Sequence, residues 1–80
     1  MKAILFTLAA RRAFRALPAQ VQTQLEAKLA RYAETGAGDV TAMKGDDGAR
    51  LRSGDYRMIF RESDHTIEVV AVGHRRDIYR

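Results

Sequence analysis

ARLRSGDYRMIFRESDHTIEVVAVG, which spans residues 49–73, decides the fold. Apolar residues alternate with basic or polar ones over 49–52 and 56–61, the pattern of strands with one buried face. Residues 66–73 are rich in β-branched side chains, which favours a central strand. The turn sequences Gly54-Asp55 and Ser63-Asp64-His65 separate the three runs. The stretch therefore predicts three antiparallel strands joined by tight turns.

The residues before this stretch predict one more strand and two helices. A strand is predicted over 2–7, and Thr7 can cap a first helix whose apolar residues recur at helical spacing. Pro18 ends that helix, and a second one is predicted over about 19–35 with Gly36 as its C-terminal cap. The apolar positions are Ala10, Ala13, Phe14 and Leu17 in the first helix and Val21, Leu25, Leu29 and Tyr32 in the second.

Together these elements predict an α+β fold. It consists of an N-terminal strand, a helical hairpin and a three-stranded antiparallel meander, in one small twisted sheet with both helices on one face. Residues 36–47 are predicted to be a polar loop. The other face of the sheet, with its arginines, is expected to be open. Eighty residues suffice for one core, so residues 1–80 are predicted to be a single domain.

Composition narrows the class of protein. A hydrophobic fraction of 46% and a charged fraction of 30% are typical of a globular domain rather than a disordered chain. Cysteine is absent and the two histidines are far apart in sequence, so no disulfide, metal site or cofactor is expected, and a reducing cytoplasm is the expected location. The apolar run near the N-terminus is shorter than the roughly 20 residues that span a bilayer, so no membrane partner is expected.

Charge points to an anionic partner. The formal net charge is +4, and seven of the basic residues are arginines from Arg50 onward, where no lysine occurs. The planar guanidinium suits bidentate contacts with phosphate. GHRRDIYR, residues 73–80, follows an apolar strand directly, and RLRSGDYR, residues 50–57, is a second basic segment. A β-hairpin between the two would bring both sets of arginines together.

These two segments also carry a resemblance to a known family. With the order of elements, the Leu17-Pro18 junction and the loop Met43-Lys44-Gly45, they resemble the RelE/ParE superfamily of type II toxin–antitoxin toxins, closest to the RelE-like mRNA interferase branch. The likeness covers nearly the whole chain. It implies a toxin that enters the decoding site of the ribosome, cleaves mRNA and is silenced by a cognate antitoxin in a hetero-oligomeric complex.

RelE-like cleavage has defined chemical requirements. The ribose 2′-oxygen attacks the adjacent phosphate without a metal ion, so the protein must activate that hydroxyl, neutralise the phosphorane and help the 5′-oxygen leave. The resemblance implies that Arg57 and Arg75 lie at the scissile phosphate and that Tyr79 stacks on a base or assists proton transfer. The further residues expected to contact RNA are Arg50, Arg52, Lys44, Arg76 and Arg80.

The residue that transfers the proton is left open by the sequence. Histidine is the side-chain type that exchanges protons close to neutral pH, which makes His74 one candidate for this role. Tyr79 is the other. No lysine follows Lys44, which excludes lysine-based activation in the tail, and an arginine stays protonated.

Structural roles are the alternative for each of these side chains. Arg50, Arg52 and Arg61 are also compatible with a solvated sheet face, and Arg57 with a cross-strand ion pair. The acids considered for that pair are Asp55, Glu62 and Glu68.

Two other classes of function stay open beside the nuclease. One is a ParE-like toxin that inhibits DNA gyrase without nuclease activity, a branch that commonly lacks this arginine, histidine and tyrosine tail. The other is a non-enzymatic nucleic-acid-binding module. An aromatic content of 8% argues against a base-stacking platform.

Overall fold

The fold is an α+β arrangement of one mixed sheet and three helices, seen in a computed structural model that describes residues 1–43 and 48–78. In chain order the elements are β1 (Ala3–Phe6), α1 (Leu8–Arg15), α2 (Ala19–Thr35), β2 (Val40–Ala42), β3 (Gly48–Ser53), β4 (Tyr56–Glu62), β5 (Thr66–His74) and α3 (Arg75–Ile78). The strand order is β1-β5-β4-β3-β2. β1 runs parallel to β5, and the other neighbours are antiparallel.

The predicted class and the order of the main elements are confirmed, with two corrections. β2 lies within the predicted polar loop and pairs with β3, so the sheet has five strands rather than four. Its three residues are too few for an alternating pattern, and pairing with β3 is what makes them a strand. The second correction is α3, a four-residue helix in the tail, where no helix was predicted.

The predicted helix ends are confirmed by their hydrogen bonds. Thr7 Oγ1 accepts a bond from the Ala10 N–H at 3.1 Å, which caps α1. Gly36 adopts the left-handed conformation with φ of 74°, and its N–H donates to the Tyr32 carbonyl at 2.8 Å. Between the helices, the Gln22 side-chain amide donates to the Leu17 carbonyl at 2.9 Å, which ties the start of α2 to the chain before it.

The core lies between the two long helices and one face of the sheet. Leu51, Met58 and Val72 are side-by-side neighbours in β3, β4 and β5, and all three are buried. A bulge shifts the pairing of β5, since Ile59 opposes Ala71 while Phe60 opposes Val69. The helices cover this face with Ala10, Phe14, Leu25, Leu29 and Ala33. Among the described residues no helix is long and apolar enough to cross a membrane.

The opposite face of the sheet carries the strand arginines. Strand alternation places Arg50, Arg52, Arg57 and Arg61 on this side, which we call the arginine face. Arg52 is the direct neighbour of Arg57, and Gly73 is the neighbour of Arg57 on β5. Because glycine has no side chain, this position of β5 adds no bulk beside Arg57.

Candidate functional site

The turn between β3 and β4 organises the candidate site. Ser53 pairs with Tyr56, so Gly54 and Asp55 form a two-residue turn, and Gly54 has a positive φ of 59° that favours glycine. Gly54, Asp55 and Tyr56 follow one another in this segment. They contact Arg57, Arg75 and His74, which the sequence singled out as functional candidates.

Arg57 is anchored to the backbone of this turn. The residue is only 9% exposed, and its Nη1 donates to the carbonyl oxygens of Gly54 at 2.7 Å and Tyr56 at 3.0 Å. No carboxylate of the described residues forms an ion pair with it, so the cross-strand ion pair considered as an alternative is not observed. A buried cation that no carboxylate neutralises attracts an anion.

The remaining donors of Arg57 stay accessible. Among the described residues no buried side-chain nitrogen or oxygen lacks a hydrogen-bond partner. The guanidinium nitrogens that bind neither carbonyl therefore keep contact with solvent. The result is a guanidinium fixed on one side and available to an anion on the other.

Arg75 is bound to the same turn by two contacts with Asp55. Its backbone N–H donates to the Asp55 carbonyl at 2.7 Å. Its Nε lies 3.7 Å from Asp55 Oδ1, an ion pair in which the side chains are 54% and 64% exposed. Asp55 was predicted as a turn residue and weighed as a partner for Arg57, but it is Arg75 that it contacts.

His74 ends β5 directly before Arg75 and packs on Tyr56, on the side of the sheet that carries Met58 and Val72 and not on the arginine face. His74 and Tyr56 are cross-strand neighbours, with ring centroids 5.4 Å apart in an edge-on arrangement. His74 Nδ1 accepts a bond from the Arg76 N–H at 3.2 Å. An accepting Nδ1 carries no proton, so this geometry assigns the imidazole proton to Nε2.

The other predicted RNA contacts are spread more widely. Arg52 is exposed on β3, and its Nε lies 3.9 Å from Asp39 Oδ2. Arg50 lies on the same face and is half-buried, and Arg76 is exposed on α3. Lys44, Tyr79 and Arg80 lie outside the described residues.

A second polar cluster, which sequence reasoning missed, lies around Glu62. Tyr32 Oη donates to Glu62 Oε1 at 2.6 Å, and Lys2 Nζ donates to Glu62 Oε2 at 2.6 Å. The bond to Glu62 raises the pKa of Tyr32 to about 12, while the bonds from Lys2 and Tyr32 lower the pKa of Glu62. Within residues 1–43 and 48–78, no group of three histidine, aspartate or glutamate side chains is placed to hold a metal ion.

Solved structures share this arrangement of strands and helices. The isolated RelE toxin of E. coli superposes with a TM-score of 0.83 at 23% identity, covering 92% of this chain and 84% of that one. The intact RelBE toxin–antitoxin complex of E. coli gives 0.79 at 26% identity over 92% and 96%. The RelB–RelE antitoxin–toxin complex of Methanococcus jannaschii gives 0.78 at 21% identity over 94% of both chains. A search of curated protein sequences found no match.

The fold is thus that of the RelE/ParE superfamily, and the resemblance inferred from the two basic segments is confirmed. The family model described as the ParE toxin of type II toxin–antitoxin systems, parDE, matches residues 4–79. The chain belongs to this family and is the toxin of a type II toxin–antitoxin system.

Proposed function

We propose that this toxin is a ribosome-dependent, metal-independent endoribonuclease that cleaves mRNA and so inhibits translation. The observation that carries the proposal is the anchoring of Arg57 and Arg75 to one turn. Both residues contact the turn of residues 54–56, and their guanidinium groups together are proposed to form the cationic site that a phosphorane-like transition state requires.

The proposed reaction is a cleavage of the RNA backbone that arginine and histidine side chains can assist. The 2′-oxygen of the ribose attacks the adjacent phosphorus, and the bond from phosphorus to the 5′-oxygen breaks, leaving a 2′,3′-cyclic phosphate and a 5′-hydroxyl. Arg57 and Arg75 neutralise the charge that develops on the non-bridging oxygens. The two proton transfers, from the 2′-hydroxyl and to the 5′-oxygen, are proposed for His74 and Tyr79, the two side chains that the sequence offers for this role.

The decisive experiment compares three variants with the wild-type protein on translating ribosomes. Arg57→Ala and Arg75→Ala are expected to lower the rate of mRNA cleavage about 100-fold or more, because each removes a cation from the phosphate site. Primer extension on the mRNA locates the cuts, and substituting a 2′-deoxyribose at the cut position should abolish them. Arg31→Ala removes an equivalent charge from the exposed surface of α2 and serves as the control. Cleavage at the wild-type rate by Arg57→Ala would rule out this site.

A second function, inhibition of DNA gyrase, is favoured by the family model, which describes a ParE toxin. Inhibition of gyrase requires the same fold but no catalytic residues. Inhibition of gyrase supercoiling, together with intact mRNA on translating ribosomes, would decide for this function. A protein that binds RNA yet affects neither process would leave only a non-enzymatic nucleic-acid-binding module.

The partner proposed for the protein in either case is a cognate antitoxin. RelE relatives have been solved as complexes with RelB. An antitoxin that forms a hetero-oligomer with this chain and shields its arginines from RNA would account for the silencing of the toxin. The nuclease function places both proteins in the cytoplasm, where translating ribosomes are found.

A further inference from the structure

We infer that Asp55 is a positioning residue that sets the orientation of Arg75 toward the scissile phosphate; this rests on the proposed nuclease function. Two contacts support it, the backbone bond of 2.7 Å from Arg75 N–H to the Asp55 carbonyl and the ion pair of 3.7 Å between Arg75 Nε and Asp55 Oδ1. The first contact fixes the main chain of Arg75, and the second favours one direction of its side chain.

The ion pair has a directional consequence for the guanidinium. Nε is the nitrogen closest to the side-chain stem, so a carboxylate on that side restrains the last torsions of the side chain. The two terminal nitrogens stay available for the oxygens of a phosphate. Asp55 therefore limits the directions in which Arg75 presents these nitrogens.

The same turn also positions Arg57. The restraint of Arg75 by Asp55 therefore acts on the placement of the two arginines relative to each other. Gly54 and Tyr56, on either side of Asp55, provide the carbonyls that bind Arg57 Nη1. The relative placement of the two guanidinium groups thus depends on three consecutive residues. A pentacoordinate phosphorus is stabilised best when both cations reach it together, so a loosely held Arg75 costs rate.

A role confined to stability is a poor account of this pair. Both side chains are more than half exposed, and exposed ion pairs contribute little to folding. The charge of Asp55 is also unfavourable for binding an anion nearby. A carboxylate that positions Arg75 while repelling phosphate predicts a split: its removal slows the chemical step and leaves the binding of mRNA unchanged or tighter.

The test measures cleavage by Asp55→Asn, which keeps the shape and loses the charge. Single-turnover cleavage of ribosome-bound mRNA is expected to slow on the order of tenfold, with an unchanged or lower KM. Asp55→Glu, which restores the carboxylate, is expected to recover most of the rate. Asp64→Asn is the matched control, because Asp64 is an exposed aspartate in the turn between β4 and β5.

A double variant separates positioning from a general effect. If Asp55 acts through Arg75, Asp55→Asn adds nothing to the defect of Arg75→Ala, whereas an equal slowing in both backgrounds would overturn the inference. Wild-type rates in Asp55→Asn would overturn it too. If the wild-type protein itself leaves mRNA intact, the proposed function fails first, and this result is distinct from an active wild type with a silent Asp55→Asn.

Discussion

The side chain of Glu62 joins three parts of the chain that are distant in sequence. Its two carboxylate oxygens bind Lys2, next to β1, and Tyr32, on α2. We expect Glu62→Gln to lower the free energy of unfolding by about 1 kcal/mol at pH 7, because a charge-assisted bond at each oxygen is weakened. Urea unfolding measures the change. Glu34→Gln, on the exposed surface of α2, is the control and should be silent.

The pH dependence of this cluster has a definite sign at both ends of the scale. The pKa of Glu62 is lowered on folding, so its contribution is complete above about 4.5 and is lost as pH falls through the lowered value. The pKa of Tyr32 is raised to about 12, so its contribution is complete below 10.0 and is lost as pH rises through about 12. Glu62→Gln should therefore lose less stability on acidification than the wild type. An equal loss would show that the carboxylate is not responsible.

Single residues were predicted well where their neighbours in sequence decide their role. Tyr32 was placed on the apolar stripe of α2, and its ring does pack on Phe60, with centroids 5.5 Å apart. The hydrogen-bond partner of its hydroxyl could not be predicted, because only the tertiary fold brings Glu62 next to Tyr32. The same holds for Asp55, whose turn conformation is local but whose partner Arg75 follows β5.

At the level of elements, Gly54 and Gly36 offer a matched comparison. Gly54 in the β3–β4 turn has φ of 59° and Gly36 at the end of α2 has φ of 74°, and an added Cβ would meet no atom within 4 Å at either position. Alanine at each should cost about 1 kcal/mol of stability from backbone strain alone. Only Gly54→Ala should also slow mRNA cleavage, because its turn holds both arginines. Thermal unfolding and cleavage rates measure the two effects, and an active Gly54→Ala would separate the turn from the site.

Elements with a long repeating pattern were predicted from the sequence, and short ones were not. The alternation in β3 and β4, and the β-branched run in β5, indicated their strands to within a residue at each end. β2 and α3 have three and four residues, which is too short for a period of 2 or 3.6 to repeat, and they form because β3 and β5 are in place beside them. The bulge in β5 was also missed, since strict alternation does not predict the burial of both Val69 and Val72.

For the molecule as a whole, the sequence predicted that two basic segments meet, and the structure brings Arg57 and Arg75 to one turn. It could not predict that Arg57 is buried and bonded to carbonyls rather than paired with an acid. Burial of that side chain depends on neighbouring strands and not on its own segment. The parts of the site that rest on Lys44, Tyr79 and Arg80 stay predictions.

The distribution of charge over the whole molecule gives the last prediction. Arg52→Ala with Arg61→Ala removes two exposed cations from the arginine face, and Arg12→Ala with Arg31→Ala removes two from the helices. Both double variants reduce the formal net charge from +4 to +2, so any difference between them reports position rather than total charge. If single-stranded RNA binds along the arginine face, each lost phosphate contact lowers the salt dependence of log affinity by about 0.7, or by about 1.4 for the pair. Fluorescence anisotropy with a synthetic RNA at several salt concentrations measures this slope.

The helix variant should keep the wild-type slope. An equal loss of slope in both double variants would mean that net charge alone governs binding. A loss of slope in the helix variant alone would place the RNA on the other side of the molecule.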